Sequence, residues 1–186
     1  MNLLAGDVGG TKTILAIYSN EKYPKKLLNK YYISSEWNSF DSIFEDFIKQ
    51  VPKHLSLPKY GCIGVAGQIK DERVNITNLS WEIDRNKLSF LSEINNIELI
   101  NDFSVLIYGI PFFKKSQYEV IQGKLRSEYK TNQKLVAIIG AGTGLGMSRG
   151  LITPKNIFIF PSEGGHREFS PRTENEWELV KWLKMK

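Results

Sequence analysis

Cysteine is nearly absent from this chain: among 186 residues there is one, Cys62. No intrachain disulfide can form, and no thiolate cluster can hold a metal. The run Gly61-Cys62-Ile63-Gly64-Val65-Ala66 reads as a buried strand, which predicts that Cys62 is a small core hydrophobe rather than a reactive thiol. Long apolar runs are also missing, and none approaches the roughly 18 residues that cross a bilayer. The opening residues, Met1-Asn2-Leu3-Leu4-Ala5-Gly6-Asp7, carry no basic leader and too short an apolar stretch for a secretion signal. The expectation is a cytoplasmic protein that does not contact membranes. No Walker-type G-x-x-x-x-G-K-S/T loop occurs, because Gly123-Lys124 runs into Leu125. Internal repeats and low-complexity tracts are absent too.

What is present is ordinary for a globular protein, with 41% hydrophobic and 24% charged residues. Such a chain is long enough for one or two domains and a real core. The formal charge is +5 and the pI about 9.2. The basic residues cluster poorly, however. The densest group, Lys22, Lys25, Lys26 and Lys30 around Pro24, reads as a turn-like solvated surface, so nucleic acid is not expected as a partner.

Apolar residues at Leu3–Ala5 and Thr13–Tyr18, separated by Asp7-Val8-Gly9-Gly10-Thr11, predict a hairpin that Tyr31-Tyr32-Ile33 extends. Phe40, Ile43, Phe44, Phe47, Ile48 and Val51 recur at helical spacing, with Ser39 as N-cap and Pro52 as the stop. Further strands are expected at Gly61–Ala66, Val74–Thr77, Ile97–Ile100, Leu135–Ile139, Met147–Ile152 and Ile157–Phe160. Helices are expected from Asp84 through Leu91, after Asn101-Asp102 up to Pro111, and after Thr173. Thr173 and Glu176 have the spacing of a capping box. The polar segment Lys114–Gln133 has no clear period and reads as a crossing between two halves. Strands grouped at the start of each half argue for an α/β fold, with a glycine-rich strand turn in each half facing a common cleft.

Two motifs suggest phosphate chemistry. In Asp7-Val8-Gly9-Gly10-Thr11-Lys12-Thr13, an acid at a strand end is followed by two glycines, which lets backbone N–H groups surround a phosphate. Asp7 would then hold Mg2+ through water, since that ion keeps most of its hydration shell. The same residues also suit a plain hairpin turn that uses glycine for its positive φ. In Gly140-Ala141-Gly142-Thr143-Gly144-Leu145-Gly146, glycines alternate after a buried strand. A dinucleotide fingerprint starting at Gly140 would need glycine where Leu145 stands, and the next residues read as strand rather than helix. A strand–turn–strand phosphate loop remains.

These two segments combine with Thr77-Asn78-Leu79-Ser80-Trp81, Ile100-Asn101-Asp102-Phe103 and Ser162-Glu163-Gly164-Gly165-His166 to make five motifs in one order. In them the chain resembles the bacterial-type glucokinases, ATP-dependent sugar kinases of the actin-like ATPase superfamily. The resemblance implies a two-lobed actin-like (ribonuclease H-like) α/β fold, with a small lobe over 1–112 and the start of a larger, incomplete lobe over 113–186. It implies ATP and glucose as substrates, Mg2+ as cofactor, and a homodimer at full length. Asp102 would take the proton from the sugar's 6-hydroxyl, and Asn101, Asp102, Glu163 and His166 would bind the sugar. Gly6, Asp7, Val8, Gly9, Gly10 and Thr11, with Gly142, Thr143 and Gly144, would hold the phosphates. Trp81 is expected in the core.

The family's adenosine-binding motif and remaining sugar ligand fall beyond Lys186. The 186-residue chain is therefore expected to self-associate through uncovered strands and to show no glucose phosphorylation. Two other readings stand beside this one. A kinase or sugar-sensing relative for another hexose typically carries a cysteine-rich zinc motif after the histidine, and this chain has only Cys62, well before it. A non-catalytic sugar-binding fragment would bind glucose without turning over ATP.

Overall fold

The computed structural model describes residues 1–76, 79–122, 133–141, 145–162, 164–166 and 168–185, with backbone only at His166. Strands β1 (Asn2–Val8) and β2 (Lys12–Ser19) form the expected hairpin, and β3 (Lys26–Ile33) extends it. With β4 (Tyr60–Val65) and β8 (Asn96–Asn101) they build a five-stranded sheet in the order β3-β2-β1-β4-β8. β1, β4 and β8 run parallel, and β2 and β3 are antiparallel additions at one edge. The basic cluster is therefore not all turn, because Lys26 and Lys30 lie on the edge strand β3. Lysines on an edge strand discourage pairing with another chain.

Helix α1 (Phe40–Lys49) forms where the 3.6-residue period placed it, and Ser39 Oγ accepts the amide of Ser42 at 3.2 Å. Phe40, Ile43, Phe44 and Phe47 point to one side of this helix and are all 0% exposed. They pack with Leu4, Val8, Leu15, Ile17, Ile63, Val65 and Ile97 from one face of the sheet. Each such side chain contributes about 1.5–3 kcal/mol by leaving water. Helix α2 (Arg85–Ser92) adds Leu88, and Lys87 joins it to α1 through Asp41 at 2.5 Å. Burial opposes the charge on Asp84, yet the amides of Lys87 and Asn86, together with Arg73, hold its carboxyl below the usual range.

A small sheet fills the gap between β4 and α2. It comprises β5 (Ile69–Lys70), β6 (Arg73–Ile76) and β7 (Trp81–Asp84). Only β6 was legible in the sequence. β5 and β6 are joined through Asp71 and Glu72, both at positive φ, as a tight hairpin turn needs. Trp81 lies in the core at 3% exposure, as expected.

The first sheet is clothed unevenly. Residues alternate faces along β4, and α1 and α2 cover only the side carrying Gly61, Ile63 and Val65. Cys62 is consequently exposed, contrary to the expectation of a core thiol. It lines an open groove with Leu3, Ala5, Tyr60 and Glu98. Partial burial, and secondly the Glu98 charge, push its pKa up.

After α3 (Asp102–Gly109), strands β9 (Lys134–Ala141), β10 (Leu145–Ile152) and β11 (Ile157–Ser162) form an antiparallel meander. Helix α4 (Glu174–Lys184) opens at Thr173, whose Oγ1 accepts the Glu176 amide at 3.3 Å. The other half of the expected capping box is displaced by one residue, since Glu176 accepts from the amide of Arg172.

This second sheet leaves one face bare, with Leu135 80%, Ile139 65%, Phe158 49% and Phe160 50% exposed. Arg149 of β10, also exposed, stands between these two apolar rows, and exposed apolar surface of this extent favours association. The 186-residue chain should therefore sediment as a concentration-dependent oligomer. Ile139→Lys combined with Phe160→Lys should shift it toward monomer without changing its far-UV circular dichroism. A monodisperse wild-type monomer would refute this.

Candidate functional site

Three parallel strands end side by side. Val8 is in register with Val65, and Val65 with Asn101, so the turns leaving β1, β4 and β8 share one edge of the sheet. The carboxyl ends of parallel strands are where α/β proteins gather ligands. Asp7 stands one position before this edge, aligned with Gly64 of β4 and, beyond it, Ile100 of β8. Its side chain is exposed on the face opposite α1.

The first glycine turn, Gly9-Gly10-Thr11, joins β1 to β2 at the same edge. The Gly9 amide donates to Lys12 O at 3.0 Å, and the Ala66 amide donates to Val8 O at 3.1 Å, which draws the β4 exit against the turn. Thr11 and Lys12 are exposed, so the turn is open on its outer side. Gly6 is different. A Cβ there would approach Ile63 and Leu15 within 3.0 Å, so this glycine serves strand packing.

Asn101 and Asp102 sit where β8 becomes α3. Asn101 caps the helix. Its Oδ1 accepts the amides of Phe103 and Ser104 at 3.1 and 3.0 Å, while its backbone stays extended. Its Nδ2 donates to Asp102 Oδ1 at 3.0 Å and to Gly67 O at 3.4 Å. The Asn101 amide is thus engaged in orienting its neighbours, a role that sequence reasoning missed. Asp102 is the first helical residue, and its Oδ1 also accepts the Phe103 amide at 2.9 Å. A Cβ at Gly64 would lie 3.9 Å from Asp102 Cα, so α3 begins over β4 on the face that carries Asp7.

The other side of α3 meets the second sheet. Gly140 and Gly146 are a cross-strand pair, and the ring of Phe103 rests on them. A Cβ at Gly140 would come within 2.7 Å of that ring, and one at Gly146 would run into it. One helical turn later, Ile107 sits against Gly150. Between these contacts, Ser104 Oγ and Ser148 Oγ, both buried, are 3.3 Å apart. Alternate residues of β10 thereby receive one face of α3. The outer glycines of the second cluster are seats for a helix.

Gly142, Thr143 and Gly144 lie outside the described residues, as do Glu163, Thr77 and Asn78. The short 3-10 turn Gly164–His166 follows β11 and packs against Leu145 and Met147, just past the Gly142–Gly144 segment. Gly164 and Gly165 are needed there because Met147 Sδ and the Leu145 carbonyl occupy the space of a side chain. The ends of β9 and β11 and the start of β10 therefore gather at the end of the second sheet where Phe103 docks.

Comparison with known proteins gives one family model, described as Glucokinase, that matches residues 4–186. The glucokinase of Nostoc punctiforme is 37% identical over 184 residues, covering 97% of this chain and 52% of that protein. The crystal structure of a glucokinase from an Antarctic psychrotroph superposes with a TM-score of 0.78 at 27% identity, over 99% of this chain and 56% of the other. That of the Balamuthia mandrillaris glucokinase in complex with glucose gives 0.72 at 24% identity, over 98% and 54%, a likeness of fold. The chain spans about half the length of the curated relatives it matches.

The docking of Phe103 on glycine predicts a size swap. Gly146→Ala should cost about 1–3 kcal/mol of stability by forcing the ring aside. Adding Phe103→Leu should recover part of that loss, giving a favourable coupling in a denaturant double-mutant cycle. Additive losses would show that the contact is not tight.

Proposed function

This chain belongs to the glucokinase family, and from that membership we propose that the full-length protein transfers the γ-phosphoryl group of ATP to the 6-hydroxyl of glucose. The observation that carries the reading is the position of Asp102. It heads α3 on the face of the sheet that carries Asp7, and the very next residue, Phe103, rests on the strand pair flanking Gly142–Gly144. A base at that point stands at the sheet edge where β1 turns and next to the residue that docks on β9 and β10. In this reading residues 1–112 form the small lobe and 113–186 the start of the larger one.

The chemistry asked of the protein is modest. The sugar O6 bonds to the γ-phosphorus as the bond to the ADP oxygen breaks, and the hydroxyl proton passes to the Asp102 carboxylate. Phosphoryl transfer of this kind depends on positioning and charge stabilisation more than on covalent chemistry. Asn101 holds Asp102 through its Nδ2, so the base starts from a fixed rotamer. The glycine turn Gly9–Thr11, with Gly142, Thr143 and Gly144, binds the phosphates, and Glu163 and His166 bind the sugar hydroxyls, while the amide of Asn101, taken up by Gly67, Asp102 and the first amides of α3, orients the base instead. A carboxylate accepts from paired hydroxyls, and an imidazole donates or accepts.

Asp7 suits Mg2+. Its exposed carboxylate is a hard oxygen donor at the strand end, and among the described residues no group of three or more His, Cys, Asp or Glu forms a cage. A single carboxylate fits an ion that keeps several waters. Bound there, Mg2+ neutralises charge on the β- and γ-phosphates.

In the full-length protein, Asp102→Ala should lower kcat on the order of 10²–10⁴-fold while raising the KM for glucose only moderately. A kcat near that of wild type would remove Asp102 from the role. Glucose should be phosphorylated far better than fructose or N-acetylmannosamine, because buried polar groups left unpaired penalise the wrong sugar. Preference for either competitor in a coupled assay would overturn the choice of sugar.

A further inference from the structure

Ser34 lies outside every motif, in a short 3-10 turn that follows β3, 25 residues from the glycine turn it touches. It is fully buried, and so is Thr13. Its Oγ donates to the Gly9 carbonyl at 2.9 Å and lies 3.1 Å from Thr13 Oγ1. Its backbone amide donates to the Thr11 carbonyl at 3.1 Å. One buried residue therefore holds two of the three carbonyls of Gly9-Gly10-Thr11 from beneath.

The geometry of the peptide bond gives this a consequence. No cis peptide occurs in the described chain, and in a trans peptide the C=O and the following N–H point in opposite directions. Anchoring the Gly9 carbonyl on Ser34 turns the Gly10 N–H away from Ser34, toward the open side of the turn. A closing pair in an ordinary two-residue hairpin exchanges two backbone bonds. Here the Gly9 amide reaches Lys12 O, while the Gly9 carbonyl is taken by the serine hydroxyl. The turn is thus held open with an amide presented outward, an arrangement that receives an anionic oxygen.

We propose that Ser34 is a positioning residue for the nucleotide: it fixes the Gly9–Thr11 turn so that the turn's amides meet the polyphosphate of ATP. The proposal rests on the reading of this turn as a phosphate site. It assigns Ser34 no contact with either substrate. Thr13 is the complementary case, because its hydroxyl meets Ser34 but none of the turn's carbonyls. Removing it leaves the Ser34–Gly9 bond in place.

The test is steady-state kinetics of the full-length protein with MgATP and glucose, beside thermal unfolding and equilibrium binding of ATP. Ser34→Ala should weaken ATP binding and raise the KM for MgATP by about tenfold, with a fall in kcat, because the orientation of a phosphate-binding amide is lost. The KM for glucose should stay within about twofold, since losses confined to one substrate mark its site. Thr13→Val should lower Tm yet leave the ATP constants near wild type. Should Ser34→Ala not fold, Ser34→Cys keeps the volume with a weaker donor and should show the same split in smaller measure. A folded Ser34→Ala or Ser34→Cys with wild-type ATP constants overturns the proposal, and so does a Thr13→Val that matches Ser34→Ala. A wild-type protein that neither binds ATP nor phosphorylates glucose overturns the functional reading instead.

Discussion

The seating of Phe103 on the Gly140–Gly146 pair is the contact on which the rest of the arrangement depends. Helix α3 starts at the end of β8 in the first sheet and presses its other side onto β10 in the second. With a side chain at either glycine the ring would have to move aside, leaving the Ser104–Ser148 and Ile107–Gly150 contacts to hold α3 on the second sheet. Asp102 precedes Phe103 by one residue, so its position relative to the second sheet is set by the same contact, as its position relative to the Gly9–Thr11 turn is set by the register of β1, β4 and β8. Small residues in facing positions allow such an approach because protein interiors tolerate little overlap.

Much of the fold was legible in the sequence, where one face of an element meets a core within the chain. The stripe of Phe40, Ile43, Phe44 and Phe47 announced α1 because all four residues are buried against one sheet. Short elements held by tertiary contacts were not legible. β5 has two residues, and β7 alternates Trp81 and Ile83 with Glu82 and Asp84 over only four. The exposure of Cys62 was misread because its neighbours are apolar, while α3 covers the face of β4 opposite α1 at Gly64 and does not reach Cys62. In the site, the glycine spacing located the Gly9–Thr11 turn, but spacing does not separate a glycine that faces a ligand from one that seats a phenyl ring, as Gly140 and Gly146 do. Ser34 acts through hydrogen bonds to a turn 25 residues away, which no local pattern signals, whereas the cap that Asn101 makes is local and an Asn before a helix is its usual mark.

Stability is distributed unequally along the chain. Every fully buried apolar residue of the main core cluster falls between Leu4 and Leu99. The second sheet contributes buried Ser148 but exposes large side chains on its far face, and α4 buries none of its residues among those described. Opening free energies follow local burial, so amides of β9–β11 belong to the weaker end of the exchange spectrum and those of β1, β4 and α1 to the stronger. Asp102 and the Gly9–Thr11 turn sit at the edge of the firm part. The Gly164–His166 turn, packed on the start of β10, belongs to the part whose rigidity depends on α3.

The single thiol has a practical consequence. Cys62 stands on the open part of the sheet face opposite α1, away from α3, and its raised pKa keeps it protonated near neutral pH. Maleimide or disulfide reagents should therefore react with it slowly, at a rate that climbs with alkalinity, and always at one defined spot. A fluorophore or spin label attached there would sit in the groove beside Tyr60 and Glu98. It would act as a gauge of that face, dark or silent to solvent probes when something lies over the strands and freely tumbling when nothing does.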